Sequence, residues 1–271
     1  MTMITPALAR SAFAAILLLA SVPALAKDDD DEPKEPRRTR VALGAQFVPS
    51  YPGSDHLVLR PLFDLSRSRG DKPFRFEAPD DSFGMGPIRS GGLTVGPSLN
   101  YRGSRTAEDV GAPMDKVGDT IEAGAFVQYQ FGENFRVRGD VRKGLGGHDG
   151  WLGDLGADYI ARKGDEWLFS IGPRVTVSDG RYQRAWFGVT PAESVRTGLA
   201  VWQPDGGIQA VGATAGLIRK LSRQWGIYGY GKYERLVGDA GDSPLVRTFG
   251  ARDQFSGGFA LTYTWGGNRK N

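Results

Sequence analysis

The sequence lacks cysteine entirely and has only two histidines among its 271 residues. The absence of cysteine excludes disulfide scaffolds, thiolate metal sites and cysteine nucleophiles. Two histidines leave little room for a histidine-based metal centre, and we expect neither a metal nor a cofactor. An excess of one charge is also lacking, because 34 Lys plus Arg are balanced by 31 Asp plus Glu. This balance argues against a nucleic-acid binder, which needs a basic excess on one face.

Long hydrophobic runs are also absent, apart from one near the amino terminus. Arg10 is followed there by an apolar run over 11–22, and residues 24–26 read Ala-Leu-Ala. A short apolar run before an A-x-A site predicts a cleaved signal peptide over 1–26 rather than a membrane anchor. Residues 27–38, which read KDDDDEPKEPRR, are charged and broken by proline, so we predict a disordered periplasmic arm. The protein is therefore expected to be exported.

The chain is rich in glycine and in segments where apolar and polar residues alternate. Its 39 glycines are about twice the ordinary share. In residues 135–142, apolar or small residues alternate with three arginines and an aspartate, which predicts a strand with one apolar and one charged face. Twelve segments follow such a pattern: 41–48, 57–66, 74–77, 83–88, 93–102, 121–131, 135–142, 155–162, 167–178, 208–218, 225–234 and 255–265.

The gaps between these segments are alternately short and long. Even-numbered gaps such as 132–134 are short and most odd-numbered gaps such as 179–205 are long, with 79–81 as the exception. Outer-membrane barrels have short periplasmic turns and long external loops. We therefore predict an all-β fold over 39–265, a transmembrane antiparallel up-and-down β-barrel of about 12 strands, followed by a tail over 266–271. A soluble β-sandwich or lipocalin-like barrel, which alternates equally well, is the alternative.

Aromatic residues near strand ends favour the membrane. Trp151, Trp167 and Trp225 lie near predicted termini, where an interfacial girdle is expected. Tyr263 and Trp265 end the last segment on its apolar face, which resembles the carboxy-terminal insertion signal of outer-membrane barrels. The charged faces supply the candidate lumen residues, which are Arg60, Asp64, Arg102, Glu122, Arg136, Arg138, Asp140, Arg142, Arg174, Lys232 and Glu234.

Several motifs together resemble one known family. Residues 49–55 (PSYPGSD), 96–105 (GPSLNYRGSR), 118–124 (GDTIEAG), 146–150 (GGHDG) and 238–244 (GDAGDSP) follow the order of landmarks in the MipA/OmpV family of MltA-interacting outer-membrane proteins. The resemblance covers nearly all of the chain after the signal peptide. Its loop motifs include His148, Asp149, Asp239, Asp242, Ser243 and Pro244.

The resemblance implies an outer-membrane barrel without catalytic activity. The role implied by the family is that of a scaffold. Such a scaffold links a lytic transglycosylase, which degrades murein, to a penicillin-binding protein, which is a peptidoglycan synthase. Outer-membrane lipid and lipopolysaccharide are the other implied contacts. A narrow outer-membrane channel or a stress-responsive porin-like protein is the alternative, and an outer-membrane lipid hydrolase is a third.

Two loop motifs carry groups that other proteins use in catalysis or metal binding. His148 beside Asp149 is compatible with a hydrolase dyad, and Ser178, Ser194 and Ser243 are candidate nucleophiles. The sequence has no G-x-S-x-G motif, and Asp and Gly are typical of turns, so we favour a loop histidine and expect no enzyme.

The second of these motifs groups Asp239, Asp242 and Ser243, which are rich in oxygen atoms. Their spacing lacks the glycine and the terminal glutamate of an EF-hand. We interpret residues 242–244 as a tight turn rather than as a cation site.

The predicted lumen charges raise the hypothesis of a pore. Their basic members outnumber the acidic ones, which would favour anions in a narrow channel. A closed barrel filled with ion pairs is the alternative, because twelve strands lie between filled barrels of about eight and porins of about sixteen. We favour a plugged or very narrow lumen. The loop 179–205, which holds Trp186, Phe187 and Trp202, is the candidate lid or plug.

Overall fold

The computed structural model describes residues 35–266. The predicted signal peptide, most of the predicted arm and most of the predicted tail lie outside this range. The strands are β1 (Arg37–Pro49), β2 (Leu57–Arg69), β3 (Phe83–Gly84), β4 (Ile88–Ser90), β5 (Leu93–Arg102), β6 (Thr120–Phe131), β7 (Phe135–Gly146), β8 (Trp151–Lys163), β9 (Trp167–Asp179), β10 (Gly206–Lys220), β11 (Trp225–Leu236) and β12 (Asp253–Gly266). The first strand thus includes the last two residues of the predicted arm, 37 and 38.

All twelve strands belong to one antiparallel sheet. Strands that follow each other along the chain pair with each other from β5 to β12, and β1 pairs with both β2 and β12. A Cβ on Gly44, at the junction of β1 and β12, would lie 2.0 Å from the carbonyl oxygen of Phe259, so glycine permits this close approach. The predicted antiparallel up-and-down barrel of about twelve strands is confirmed.

The sheet turns its apolar face outward. Leu59 and Phe63 on β2 are 64% and 57% exposed, whereas Glu122 on β6 and Arg136 on β7 are 0% and 1% exposed. A soluble fold would bury the apolar side chains and expose the charged ones. Apolar residues outside and polar residues inside are the pattern of an outer-membrane barrel, which argues against the soluble alternative.

Aromatic rings cluster outside the sheet at the end with the short turns. Tyr263 lies 4.9 Å from Trp225 and 6.1 Å from Trp265, measured between ring centroids. Phe135 and Tyr159 form another pair of rings on β7 and β8. Such a belt marks a membrane interface. By the turn-length rule for these barrels, this end is the periplasmic end and the opposite one is the outer end.

The connection between β2 and β3 differs from the sequence prediction. Residues 74–77, predicted as a strand, form none, and the predicted strand 83–88 is split into β3 and β4, which both pair with β5. Residues 70–82, here called the lumen segment, instead run inside the barrel. Its carboxylates Asp81 and Asp80 pair there with the inward-facing Arg136 and Arg174. The exceptional gap at 79–81 is thus part of an interior segment and not an external loop.

Five short helices lie in the long connections at the outer end. They are α1 (Ala107–Val110), α2 (Gly180–Phe187), α3 (Pro191–Thr197), α4 (Gly238–Asp242) and α5 (Pro244–Phe249). Capping boxes start α1 and α3, where Thr106 and Thr190 each accept from the backbone three residues later. Over the described range, no helix has the length and apolar character needed to cross a bilayer.

Candidate functional site in the barrel lumen

The structure places the eleven candidate lumen charges on the inner face of the sheet, where they are buried or half-buried. Their positions follow from strand alternation, because each shares its face with the other inward residues of its strand. The lumen segment adds two further carboxylates, Asp80 and Asp81, to the same space. The interior is therefore a dense set of opposite charges.

Arg136 is at the centre of the first group of ion pairs. Its Nη1 lies 2.5 Å from Asp81 Oδ2, and its Nη2 lies 2.6 Å from Asp158 Oδ2. Asp158 also accepts from Arg174, whose Nη2 is 2.7 Å away. Buried guanidinium groups are stable only when they are paired and hydrogen-bonded. Asp158 was missed in the sequence, although it shares the inward face of β8 with Asp154 and alternation could have identified it.

Asp80 of the lumen segment binds side chains of three neighbouring strands, β9, β10 and β11. Arg174 Nε lies 3.0 Å from Asp80 Oδ2, and Thr214 donates to the same oxygen over 2.8 Å. Lys232 Nζ lies 3.3 Å from Asp80 and 2.9 Å from Glu234. One carboxylate therefore connects β9, β10 and β11 through the interior of the barrel.

Ser82 attaches the end of the lumen segment to β5 and β7. Its hydroxyl lies 2.7 Å from Ser98 Oγ, accepts from Arg138 Nη2 over 2.9 Å and donates to Asp140. Arg138 in turn binds Asp140, with 2.8 Å between Nε and Oδ2. The lumen segment is thus held by side-chain bonds, without a ladder of backbone bonds to the wall.

The lumen segment borders two cavities. One, of about 270 Å³, lies towards the outer end and is lined by Asp80, Arg102, Arg142 and Tyr182 among others. The other, of about 700 Å³, lies at the periplasmic end. We call the second cavity the inner vestibule, and its lining is Arg38, Arg40, Asp71, Phe74, Asp165, Ile218, Lys220, Arg223, Gln224, Trp225, Gly226, Thr262, Thr264, Trp265 and Gly266.

The outer end is covered by a hydrophobic cluster, here called the outer cap, which is built from the long connections. Tyr182, Trp186 and Phe187 of α2 are completely buried in it, and Trp202 packs against it. Arg105 Nη1 donates to the carbonyl oxygen of Trp186 over 2.7 Å. Burial lowers the pKa of the Arg105 guanidinium and raises the pKa of the Tyr182 hydroxyl, so the cap disfavours the charged form of both groups.

His148 anchors the cap to the lumen charges. Its Nε2 lies 3.3 Å from Glu122 Oε1, and its ring meets the edge of Tyr182 at 4.8 Å. Glu122 also accepts from Arg102 Nε over 2.5 Å and from Asn100 over 2.9 Å. The sequence interpretation placed His148 in a loop, as observed, but not in buried contact with a carboxylate. That contact joins residues 26 positions apart.

Two of the candidate serine nucleophiles donate to backbone carbonyl oxygens, and the third has no hydrogen-bond partner among the described residues. Ser243 Oγ donates to the carbonyl oxygen of Phe187 over 2.6 Å, and Ser194 Oγ donates to that of Leu199 over 2.6 Å. Ser178 Oγ is buried without a partner. Between residues 35 and 266, no serine is hydrogen-bonded to the His148 side chain. The described residues therefore assemble no hydrolase triad.

The remaining loop-motif residues form local contacts at the outer end. Asp149 pairs with exposed Arg181 at 3.3 Å. Asp242 pairs with Arg247 at 2.8 Å, while Asp239 accepts from the backbone nitrogen of Asp205. Pro244 opens α5. In the part of the chain that the structure describes, no group of three His, Cys, Asp or Glu residues is placed to hold a metal ion.

Comparison with known proteins gives one family match. The family model described as MltA-interacting protein MipA matches residues 41–265. The comparison with curated proteins found no significant match. Among solved structures, an outer membrane channel from Pseudomonas putida F1 aligns at 10% identity and a TM-score of 0.41, covering 89% of this chain and 99% of that chain. OmpT of Vibrio cholerae aligns at 10% identity and a TM-score of 0.36, covering 89% and 100% respectively.

Proposed function

Because this chain belongs to the MipA family of MltA-interacting proteins, we propose that it is a non-catalytic scaffold that holds a lytic transglycosylase at the periplasmic face of the outer membrane. The chain is a β-barrel of the outer membrane, with an apolar outer face and a charged interior. The scaffold proposal extends to a penicillin-binding protein as the second partner, so that murein cleavage and synthesis occur side by side.

The observation that carries this proposal is the closed interior. The lumen segment crosses the interior, the outer cap covers the outer end, and most of the lumen charges are bound to each other or to the lumen segment. A barrel arranged in this way supports a function at its surface rather than transport through its centre. The periplasmic end, where a murein enzyme would act, carries the larger of the two cavities.

Direct binding tests the proposal. The full chain, reconstituted in nanodiscs and immobilised, is expected to bind a purified MltA-type lytic transglycosylase in a saturable manner. An outer-membrane barrel from another family, in the same nanodiscs, is the control. Binding no stronger than to this control would contradict the scaffold role. A penicillin-binding protein added afterwards is expected to join the complex without displacing the transglycosylase.

A narrow channel is the second candidate function, and the two cavities favour it. They lie on either side of a segment that has no ladder of backbone bonds to the wall, so a displaced lumen segment would connect them. The cationic side chains that line the outer cavity outnumber the carboxylates by one, a small excess that would favour anions. Stable conductance by the unmodified protein in planar bilayers is the result that would support this candidate over the scaffold.

A further inference from the structure

The inner vestibule is a cavity with an excess of basic side chains. Four basic residues line it, which are Arg38, Arg40, Lys220 and Arg223, against the two carboxylates of Asp71 and Asp165. Asp165 is already shared, because it accepts from Arg38 Nη1 over 2.9 Å, from the backbone nitrogen of Phe74 over 2.9 Å and from Arg162. A concave surface of one charge within low-dielectric walls concentrates the field at its mouth. The vestibule is therefore suited to an anion.

Arg40 is the buried basic group of this cavity that has no ion-pair partner among the described residues. It is only 9% exposed, and its guanidinium carbon lies 4.6 Å from the centroid of the Phe74 ring. Its Nη2 donates to Ser66 Oγ over 3.3 Å. Among residues 35–266, no carboxylate lies within ion-pair distance of it. A buried guanidinium without a carboxylate carries a desolvation cost that an entering carboxylate would offset.

Two further observations point to a ligand that enters from the periplasm. Arg38 Nε is buried and has no hydrogen-bond partner. Lys220 and Arg223 are exposed at the rim, where β10 ends and the turn to β11 begins, so an approaching anion meets them first. The vestibule therefore combines a cationic entrance with a buried cation that is incompletely satisfied.

We propose that the inner vestibule is the docking site for a short acidic peptide segment of the periplasmic partner, an inference that rests on the proposed scaffold function. The cavity of about 700 Å³ is within the range of sites that enclose a small ligand. A flat interface needs about 800 Å² from each protein, and the short periplasmic turns offer little flat surface. A segment inserted into the vestibule supplies the contact that these turns lack.

A labelled hexaglutamate peptide and the full chain in nanodiscs of zwitterionic lipid form the test. We expect saturable binding by fluorescence anisotropy that weakens strongly between about 50 mM and about 500 mM salt. The double variant Lys220→Glu/Arg223→Glu changes only exposed rim residues, and we expect it to weaken binding by about tenfold or more. Arg181→Glu/Arg247→Glu, which reverses two exposed charges at the outer end, is the matched control and should bind like the unmodified chain.

The contrary results are equally specific. Absence of saturable binding, or equal binding by the rim variant and the unmodified chain, would overturn the inference. Phosphatidylglycerol added to the nanodiscs tests a lipid headgroup as the occupant. If this lipid abolishes peptide binding to the unmodified chain, the vestibule is a headgroup site and the inference fails.

Transglycosylase binding by the same variants separates this inference from the scaffold proposal. If the rim variant loses the enzyme while the control variant retains it, both stand. If the rim variant binds the enzyme normally, the docking site is wrong although the scaffold role survives. If the peptide binds with the expected rim dependence but the enzyme does not bind the unmodified chain, the scaffold role fails, and with it the assignment of the peptide to that partner.

Discussion

A single side chain, Glu122, connects the lumen charges to the outer cap. It is fully buried on β6, where it binds Arg102 on β5 and His148 below the outer cap. Arg142 on β7 lies 3.5 Å away. Because these three groups and Asn100 share one carboxylate, loss of its charge leaves several buried groups without compensation.

Glu122→Gln is therefore expected to lower the free energy of unfolding by about 3–5 kcal/mol, which is the cost of removing one partner of a buried ion pair. Urea unfolding of the purified barrel in detergent measures this free energy. Glu166→Gln is the matched control, because Glu166 pairs with Lys163 at 2.9 Å on the exposed surface, and such pairs contribute about 0–1 kcal/mol. Equal losses in the two variants would contradict the role assigned to Glu122.

Trp186 supports the outer cap in a different way, through packing. It is completely buried in the cap, as is neighbouring Phe187. Trp186→Ala is expected to cost about 3–5 kcal/mol of cap stability and to make the 179–205 connection a site of rapid cleavage by protease added from outside. Trp225→Ala, at the exposed aromatic belt, is the control and should leave cleavage unchanged. Slow cleavage in both variants would show that Trp186 does not hold the cap.

At the scale of elements, period-two alternation was sufficient to predict most of the wall. The predicted strand 135–142 lies within β7, and 121–131 agrees with β6 to within one residue. The segment 74–77 alternates as well, but the acidic pair that follows, Asp80 and Asp81, binds inward arginines and holds it inside. The partners of Asp80 and Asp81, such as Arg136 and Arg174, lie on strands far along the chain. A local pattern carries no information about such distant contacts.

The candidate site was predictable to a similar extent. Alternation identified the inward charges, yet it did not identify which of them pair, since this depends on strand register and on the lumen segment. The buried contact of His148 with Glu122 required the β7–β8 connection to fold back over the lumen. Turn preferences around His148 describe its backbone but not the surroundings of its ring.

The lumen segment should become mobile when its carboxylates are neutralised. The chain has no cysteine, so Ala78→Cys introduces a single label site at a buried position of this segment. In the Asp80→Asn/Asp81→Asn background, which removes the charges that bind Arg136 and Arg174, we expect maleimide labelling of this cysteine at least about tenfold faster. Asp115→Asn/Asp149→Asn, at the outer end, provides the control background. Equal labelling rates in the two backgrounds would mean that the carboxylates do not hold the segment.

At the scale of the whole molecule, the distribution of polarity defines the environment. The apolar outer face needs hydrocarbon, while the charged interior is neutralised by its own ion pairs. We expect the unheated protein to migrate differently from the boiled protein in an SDS gel, because a folded outer-membrane barrel resists SDS until it is heated. A single band of unchanged mobility, with the protein monodisperse in buffer without detergent, would contradict the membrane assignment.

The central claim is that the barrel is closed from within and acts through its periplasmic surface. Single-channel recording of the unmodified full chain in planar bilayers tests it most directly. The lumen segment and the outer cap predict no stable conductance steps over a wide range of voltage. Reproducible steps of fixed size in the unmodified protein would show an open path through the lumen and would contradict the account.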